Sequence, residues 1–183
     1  MSQNSETRIQ TEKNILDAFW QLYKMNGFRN TTVKDVIKKA GYNRSTFYDY
    51  FVDLEDVLEK IEYSLIPTLD SLPPINLNSK SIGMPVNEFL EVFKIHQEYY
   101  MVLLGENGDP KFVSRLKNSI KKTLFSHMRF DDTHTSIHSD FALEYVLSGM
   151  IGILLYWLSN SDKITEEDVI SLIREITPSF IVE

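Results

Sequence analysis

The chain has 183 residues, of which 43% are hydrophobic and 25% charged, a composition typical of a soluble globular protein with a sizeable core. It contains no cysteine, which excludes disulfides, thiolate catalysis and cysteine-based zinc sites. Its net charge of −7 by itself argues against a nucleic acid as partner.

The charge is unevenly distributed along the chain. Residues 1–54 carry eight Lys or Arg and six Asp or Glu, a net charge of +2, whereas the remaining residues carry −9. Between Lys24 and Thr46 there are six basic residues and one acidic residue, Asp35. A small basic region on an acidic body suits a DNA-binding head, because phosphates require only a local basic patch. A solvated charged surface without a partner is the alternative.

Apolar residues recur at helical spacing from residue 11 onwards. The first stripe predicts a helix over residues 11–25, ended by Asn26-Gly27, and consists of Ile15, Ala18, Phe19, Leu22 and Tyr23. A short helix is predicted over 33–40, with Thr32 as N-cap and Gly41 as its end. A longer helix is predicted over 54–69.

The composition changes at residues 71–85, which contain three prolines and no periodic pattern and are predicted to form a loop that marks a domain boundary. Further helices are predicted over 85–104, 110–124 and 141–158, with loops at 105–109 and 130–140. A last helix is predicted to begin at Thr165, which with Asp168 has the spacing of a capping box. No strand is predicted, so the expected fold class is all-α with seven or more helices.

The sequence predicts neither a secretory signal nor a membrane-spanning helix. The first ten residues lack the apolar core of a secretory signal. The most apolar stretch, residues 145–158, is short for a membrane span and is interrupted by Ser148, Gly149 and Gly152. We therefore expect a cytoplasmic protein without a membrane partner.

Residues 41–51, GYNRSTFYDYF, contain five aromatic side chains. On a helix, Phe47 and Phe51 share one face and are assigned to the core. Tyr48 and Tyr50 lie on opposite flanks of that face, so one core contact cannot bury both hydroxyl groups. DNA phosphates are suitable partners for them, since tyrosine hydroxyls commonly donate to phosphate.

The stretch also completes a helix-turn-helix. Helix 33–40, the turn at Gly41 and a second helix capped by Asn43 have the order and the short spacing of that motif. In such motifs the first residues of the second helix contact base edges in the major groove. Here those residues are Arg44, Ser45 and Thr46.

Residues 8–58 resemble the DNA-binding domain of the TetR (tetracycline-repressor-like) family of bacterial regulators. The matching pattern is Gly-Phe, Thr-Thr-Val, Ile-x-x-x-Ala-Gly, Thr-Phe-Tyr-x-Tyr-Phe and an acidic helix start, in order and without gaps. The resemblance implies a DNA-binding domain over 1–54 and a helical ligand-binding and dimerisation domain over 55–183. It also implies DNA contacts by Thr32, Arg44, Ser45, Thr46, Tyr48 and Tyr50.

One residue departs from the family pattern, and a second has an unexpected charge for a DNA-binding surface. Many relatives carry a lysine just before the acidic helix start, where this chain has Leu54, so one phosphate contact is missing. Asp49 places a negative charge where phosphates are expected. Leu54 in place of lysine favours an alternative function, a helical protein-interaction module that has lost specific DNA binding.

The C-terminal part is rich in aromatic side chains, most of which core packing explains. LLGENGDPKF and FALEYVLSGMIGILLYWL resemble C-terminal regions of one subset of the family, which implies a ligand cavity among these helices. Such cavities are largely apolar with a few polar groups. The predicted ligand-binding residues are Phe93, His96, Tyr99 and Tyr100.

The helix predicted over 141–158 is apolar almost all round yet carries small residues. In the family the last two long helices pair with their symmetry mates as a four-helix bundle, and small residues permit close backbone approach. Burial within one protomer is the alternative. The predicted dimer-interface residues are Ser148, Gly149, Gly152 and Tyr156.

No metal, cofactor or catalytic site is predicted. His134 and His138 have i, i+4 spacing near Asp131 and Asp132, but they fall in a predicted loop, where this spacing does not create a shared face. The chain has no G-x-S-x-G, P-loop or dinucleotide fingerprint. The family resemblance implies instead a homodimeric DNA-binding regulator, expected to be a repressor, that binds an inverted-repeat operator and responds to a small molecule or partner.

Overall fold

The computed structural model describes residues 3–66, 81–82, 86–105, 108–127, 136–160, 162–176 and 180–181. Contacts divide the chain into two compact units, Met1–Leu65 and Ile66–Glu183. By this division the helix that begins at Leu54 belongs to the first unit, whereas the domain limit predicted from sequence lies at its start. Most of the predicted loops at 71–85 and 130–140 lies outside the described residues.

The described part of the first unit is helical. It consists of α1 (Gln3–Asn26), a 3-10 turn (Phe28–Asn30), α2 (Val33–Ala40), α3 (Arg44–Tyr48) and α4 (Leu54–Leu65). α1 packs on α2 and α4, and α2 packs on α3. The apolar stripes of these helices meet in one core, whose fully buried side chains include Ile15, Phe19, Val36, Phe47 and Val57.

α1 begins at Gln3, well before the predicted start at residue 11. The extra turns carry one apolar side chain, Ile9, which is 57% exposed. A helical segment that buries almost nothing leaves no apolar stripe in the sequence, so periodicity could not locate this start. The predicted end is confirmed, because Gly27 follows α1 with a φ of 73°.

The second unit contains five described helices and one short strand pair. The helices are α5 (Val86–Ile95), α6 (Gln97–Leu103), α7 (Pro110–His127), α8 (Ser136–Leu158) and α9 (Glu166–Ile176). α5 packs on α6 and α9, and α8 packs on α7 and α9.

The prediction that the chain has no strand is wrong at one place. β1 (Ser81–Ile82) and β2 (Phe180–Ile181) form an antiparallel pair, with Ser81 opposite Ile181 and Ile82 opposite Phe180. Two residues are too few to show an alternating pattern in the sequence. The fold class is all-α as predicted, since every longer element described is a helix.

Two helix limits in the second unit also differ from the prediction. The helix predicted over 85–104 is broken at His96 (φ −116°, ψ 25°), which separates α5 from α6. Apolar residues keep helical spacing across this break, so the pattern did not reveal it. α8 begins at Ser136, so the predicted loop over 130–140 is wrong for its last five residues.

The helix starts predicted from capping patterns are confirmed. Asp109 Oδ1 accepts a hydrogen bond from Lys111 N at 2.9 Å, and α7 begins at Pro110. Thr165 and Asp168 form the predicted capping box at α9, with Thr165 N donating to Asp168 at 3.1 Å and Asp168 N donating to Thr165 at 3.2 Å. The Thr165 hydroxyl also donates to Asp168 Oδ2 at 2.6 Å, and this bond, together with the one from Thr165 N, lowers the pKa of the Asp168 carboxyl.

α8 carries apolar side chains on two opposite faces. At 100° per residue its buried side chains, among them Leu143, Leu147 and Leu154, lie on the face towards the core of the second unit. Phe141, Tyr145 and Tyr156 lie on the other face, where they are 73%, 81% and 65% exposed. This double face explains why its segment Asp140–Leu158, alone among the described residues, is long and apolar enough to cross a membrane by length and composition.

Candidate nucleic-acid interface

α2 is held at both ends by the residues that the sequence pattern indicates. Thr32 Oγ1 accepts a hydrogen bond from Asp35 N at 3.2 Å and donates its hydroxyl to the Asp35 carboxylate at 2.5 Å. Gly41 ends the helix in the left-handed region, at φ 78° and ψ 25°, which a residue without a Cβ adopts at no steric cost. Asp35, the one acidic residue of the basic segment, thus lies in a first helical turn, where a negative charge is favourable.

Asn43 caps α3 and gathers the two hydroxyl groups that follow it. Its Oδ1 accepts Thr46 N at 2.8 Å, Ser45 Oγ at 2.7 Å and Thr46 Oγ1 at 3.0 Å. A carbonyl oxygen has two lone pairs, so the third donor adds little. One of the two hydroxyl groups can therefore turn towards a ligand at small cost, while the cap itself stays intact.

The aromatic stretch divides between core and surface as its spacing predicts. Phe47 and Phe51 are buried, with ring centroids 5.8 Å apart. Tyr48 is 48% exposed and meets Phe47 edge to face at 5.4 Å. Tyr50 is half-buried in the turn after α3.

Each of the two tyrosines supports an arginine. The Arg44 guanidinium carbon lies 5.6 Å from the Tyr48 ring centroid, and Arg44 Nη2 donates to the Tyr48 hydroxyl at 3.2 Å. The Arg8 guanidinium carbon lies 5.5 Å from the Tyr50 ring centroid. Both distances are within the range of a cation–π interaction. Sequence reasoning missed Arg8, because it lies far from the helix-turn-helix in the sequence and no local pattern links the two.

The structure brings most of the predicted DNA-binding residues together. Arg44, Ser45, Thr46 and Tyr48 lie on α3, and Tyr50 follows in the next turn. Thr32 lies separately at the start of α2, where its hydroxyl proton is engaged by Asp35.

Asp49 and Leu54, the two residues that the sequence singled out, lie on either side of that turn. Asp49 is exposed, and no hydrogen bond or ion pair of its carboxylate is found among the described residues. Leu54 is half-buried at the start of α4. That helix start is capped by Asp53 Oδ1, which accepts a hydrogen bond from Asp56 N at 2.9 Å.

Two of the four predicted ligand-binding residues line a cavity in the second unit. Phe93 and Tyr100 stack with centroids 4.5 Å apart and planes inclined by 6°. They border an apolar cavity of about 40 Å³ together with side chains such as Leu116 and Leu147. Burial raises the pKa of the Tyr100 hydroxyl.

The other two predicted ligand-binding residues are not part of that cavity. His96 and Tyr99 are half-buried beside it, and the His96 ring meets the Tyr100 ring edge to face at 6.5 Å.

The predicted dimer-interface residues lie on the exposed apolar face of α8. Ser148, Gly149 and Gly152 are exposed and share that face with Tyr156. Ile176 of α9 is 55% exposed and borders, with this face, a groove of about 630 Å³.

The described residues include no group of three or more His, Cys, Asp or Glu that could hold a metal ion. His134, Asp131 and Asp132 of the metal hypothesis lie outside the described residues.

Two family models match the chain. Residues 15–61 match the bacterial regulatory proteins of the tetR family, and residues 85–179 match a transcriptional regulator C-terminal region. The chain is 30% identical over 138 residues to the HTH-type dhaKLM operon transcriptional activator DhaS of Lactococcus lactis subsp. lactis, a match that covers 73% of this chain and 71% of that protein.

Solved structures agree in fold. A TetR transcriptional regulator from Streptococcus agalactiae is 25% identical, with a TM-score of 0.66, covering 94% of this chain and 96% of that one. The dihydroxyacetone kinase operon activator DhaS is 21% identical, with a TM-score of 0.55, covering 92% and 98%. This chain therefore belongs to the TetR family of transcriptional regulators, with a helix-turn-helix DNA-binding domain in its N-terminal part.

Proposed function

We propose that the protein binds an inverted-repeat operator as a homodimer and contacts bases through α3. The observation that supports this most directly is the exposure of the start of α3. Arg44 and Ser45 are exposed there on a helix that its Asn43 cap holds in place. An arginine fork at the start of a recognition helix suits the O6 and N7 atoms of guanine.

Phosphate contacts come from the residues around that helix start. The Tyr48 hydroxyl accepts from Arg44, so its own proton is available to a phosphate oxygen. Lys38 and Lys39 are exposed in the last turn of α2 and add a diffuse positive field. Thr32 and Tyr50 complete the proposed set of DNA contacts.

The exposed face of α8 supports a homodimer. Phe141, Tyr145 and Tyr156 form an apolar strip beside the small residues Gly149 and Gly152. A strip of this kind is costly to leave in water and fits the same strip on a second copy, since a two-fold interface is self-complementary. Two copies related by a two-fold axis recognise two half-sites in inverted orientation.

The second unit is proposed to receive the signal. The cavity beside Phe93 and Tyr100 is apolar and small, so an effector bound there has to enlarge it. His96 and Tyr99 supply polar groups nearby. A change of this kind, or binding of a partner protein, would alter the separation of the two DNA-binding domains of the dimer and hence the affinity for the operator.

The direction of regulation follows from where the operator lies in a promoter. From its sequence the protein is expected to be a repressor acting in the cytoplasm, whereas its Lactococcus relative DhaS is by name an activator. Transcription in vitro from a promoter containing the operator, with and without the protein, measures the sign directly.

Selection of bound sequences from random duplex DNA tests the proposal. We expect an inverted repeat whose half-sites are about 10 base pairs apart, or a multiple of that spacing, centre to centre. A guanine is expected in each half-site, and Arg44→Ala should lose that preference. Enrichment of direct repeats or of single half-sites would contradict binding by a two-fold dimer.

The alternative, an interaction module without specific DNA binding, rests on Leu54 in place of lysine. It predicts that the selection enriches no sequence although the protein still forms dimers. Leu54→Lys would then restore DNA binding, whereas under the main proposal it only tightens binding to all duplexes alike.

A further inference from the structure

A groove of about 460 Å³ lies beside the helix-turn-helix, in the first unit. α1 contributes one wall, through Thr7, Arg8 and Thr11. The other wall consists of Thr46 from α3 and of Asp49 and Tyr50, which follow it. The groove is therefore continuous with the surface that is proposed to lie on DNA.

Arg8 is positioned for an anion in this groove. Its side chain is exposed, and the described residues give it no ion pair. The Tyr50 ring, 5.5 Å from the guanidinium carbon, supports the guanidinium through a cation–π interaction, which leaves its N–H groups available for an anion. That arrangement restricts the arginine before any ligand binds, which lowers the entropy lost on binding.

The remaining side chains of the groove do not compete for Arg8. The Thr11 hydroxyl is bonded within α1, to the carbonyl of Thr7 at 2.9 Å. Thr46 Oγ1 is bonded to Asn43. Asp49 lines the same groove but does not form an ion pair with Arg8.

We infer that Arg8 is a DNA contact supplied by α1 and that it binds a backbone phosphate next to the bases that α3 contacts. The guanidinium fork matches two phosphate oxygens, and the groove shares Thr46 and Tyr50 with the recognition surface. This inference rests on the proposed function, since it takes α3 to lie on DNA. It assigns to Arg8 the role that the missing lysine at Leu54 leaves open.

The same geometry gives Asp49 a function. A carboxylate in the groove repels phosphate, so a phosphate is held there only when Arg8 supplies the opposite charge. Asp49 therefore lowers the affinity of the groove for any anion. A phosphate then binds in the groove only when Arg8 is present. Neutralising Asp49 should tighten binding to every duplex and make loss of Arg8 less costly.

The test measures affinity for the selected operator and for a scrambled duplex across a range of salt concentrations. The variants are Arg8→Ala, Arg8→Lys, Asp49→Asn and the double variant Arg8→Ala with Asp49→Asn. Lys13→Ala is the matched control, because it removes an equal charge from an exposed position on the same helix. Thermal unfolding followed by circular dichroism identifies any variant whose fold is changed.

We expect Arg8→Ala to weaken binding to both duplexes by the same factor and to reduce the slope of log affinity against log salt. The reduction is about 0.9 per lost phosphate contact, hence about 1.8 for a dimer. Arg8→Lys should retain the wild-type slope, and Lys13→Ala should match wild type. In the Asp49→Asn background, removal of Arg8 should cost less.

The outcomes separate this inference from the proposed function. If wild-type protein binds the operator and Arg8→Ala has the slope of Lys13→Ala, the phosphate contact is refuted while operator binding stands. A changed ratio between operator and scrambled duplex in Arg8→Ala would assign Arg8 to a base and also refute the phosphate contact. If wild-type protein binds no duplex, the proposed function itself fails.

Discussion

At the scale of single residues, the crowding of aromatic side chains around α3 has a physical explanation. The two phenylalanines fill the core, and the two tyrosines each carry an arginine on the outside. Tyr48 holds Arg44 by both its ring and its hydroxyl oxygen. A long cationic side chain is thus partly ordered before DNA arrives, which reduces the entropy it loses on binding.

The first prediction concerns Arg44. Arg44→Ala should weaken binding to the preferred operator by about 1–3 kcal/mol and relax the preference at one position of each half-site, because it removes a base contact. Tyr48→Phe is the comparison, since it keeps the ring under Arg44 and removes only the hydroxyl. It should weaken binding to both duplexes through the lost phosphate contact, and it should lower the operator preference less than Arg44→Ala does, because the ring still supports the arginine. An unchanged ratio between the two duplexes for Arg44→Ala would reassign that residue to the backbone.

At the scale of elements, α3 is short and depends on its cap. Asn43→Ala removes the acceptor of three hydrogen bonds and should destabilise the first unit by about 1 kcal/mol. Asn43→Asp keeps an acceptor and should be close to wild type. Trp20 is buried in the first unit, so its fluorescence in a Trp157→Phe background reports urea unfolding of that unit alone. Equal urea midpoints for the alanine and aspartate variants would show that the Asn43 cap does not contribute to the stability of the first unit.

A second element-scale prediction concerns the junction of α7 and α8. Glu144 on α8 accepts from Lys117 at 2.5 Å and lies 2.8 Å from Lys121 Nζ, both on α7. These lysines lower the pKa of Glu144 from 4.5 to about 2. A lowered folded-state pKa stabilises the fold above the unfolded-state pKa, and the contribution is lost as pH falls from about 4.5 to about 2.

Glu144→Gln should therefore lower the stability of the second unit at neutral pH, and it should reduce the loss of stability as pH falls from about 4.5 to about 2. The effect is modest, because the pair is partly in water. Urea unfolding followed by Trp157 fluorescence in a Trp20→Phe background measures it. Glu91→Gln is the control, an exposed glutamate with no ion pair among the described residues. If the stability of both variants depends on pH in the same way, the ion pairs of Glu144 with Lys117 and Lys121 contribute nothing to stability.

What the sequence predicted well were features with a local physical cause. Caps at Thr32, Asn43 and Thr165 follow from side-chain chemistry, and apolar stripes follow from burial, so both could be read without the structure. The start of α1 and the break at His96 change no periodic pattern and were missed. The pairing of Arg8 with Tyr50 is a contact between distant segments, which no local rule reveals.

For the molecule as a whole, the uneven charge predicts that the salt dependence of operator affinity comes from the basic first unit and not from the acidic second unit. Lys38→Ala with Lys39→Ala removes two exposed charges from α2 and should make the salt dependence of operator affinity shallower. Glu91→Gln with Glu167→Gln removes two exposed charges from the acidic second unit and should leave the slope unchanged. Affinities measured between 50 and 200 mM salt distinguish the cases. The same slope for both double variants would exclude a local basic patch.

The proposed dimer can be tested at Gly152, because this residue has open space around it within one protomer. A Cβ added at Gly152 meets no heavy atom within 4 Å, so the first atom of a larger side chain has open space around it in the protomer. Replacing a helical glycine also favours the helix by up to about 1 kcal/mol. Gly152→Leu should therefore leave the protomer folded, or stabilise it, while forcing apart the two copies of α8 that are proposed to approach each other across the two-fold axis.

Sedimentation velocity over a range of concentrations measures the dimer dissociation constant, and thermal unfolding reports the fold. We expect Gly152→Leu to dissociate at concentrations where wild type is a dimer, and Gly152→Ala to have a smaller effect in the same direction. Operator affinity should fall with the dimer population, because one half-site alone binds weakly. If Gly152→Leu is fully dimeric, the dimer interface does not lie on this face of α8. The exposed strip of Phe141, Tyr145 and Tyr156 would then require a different partner.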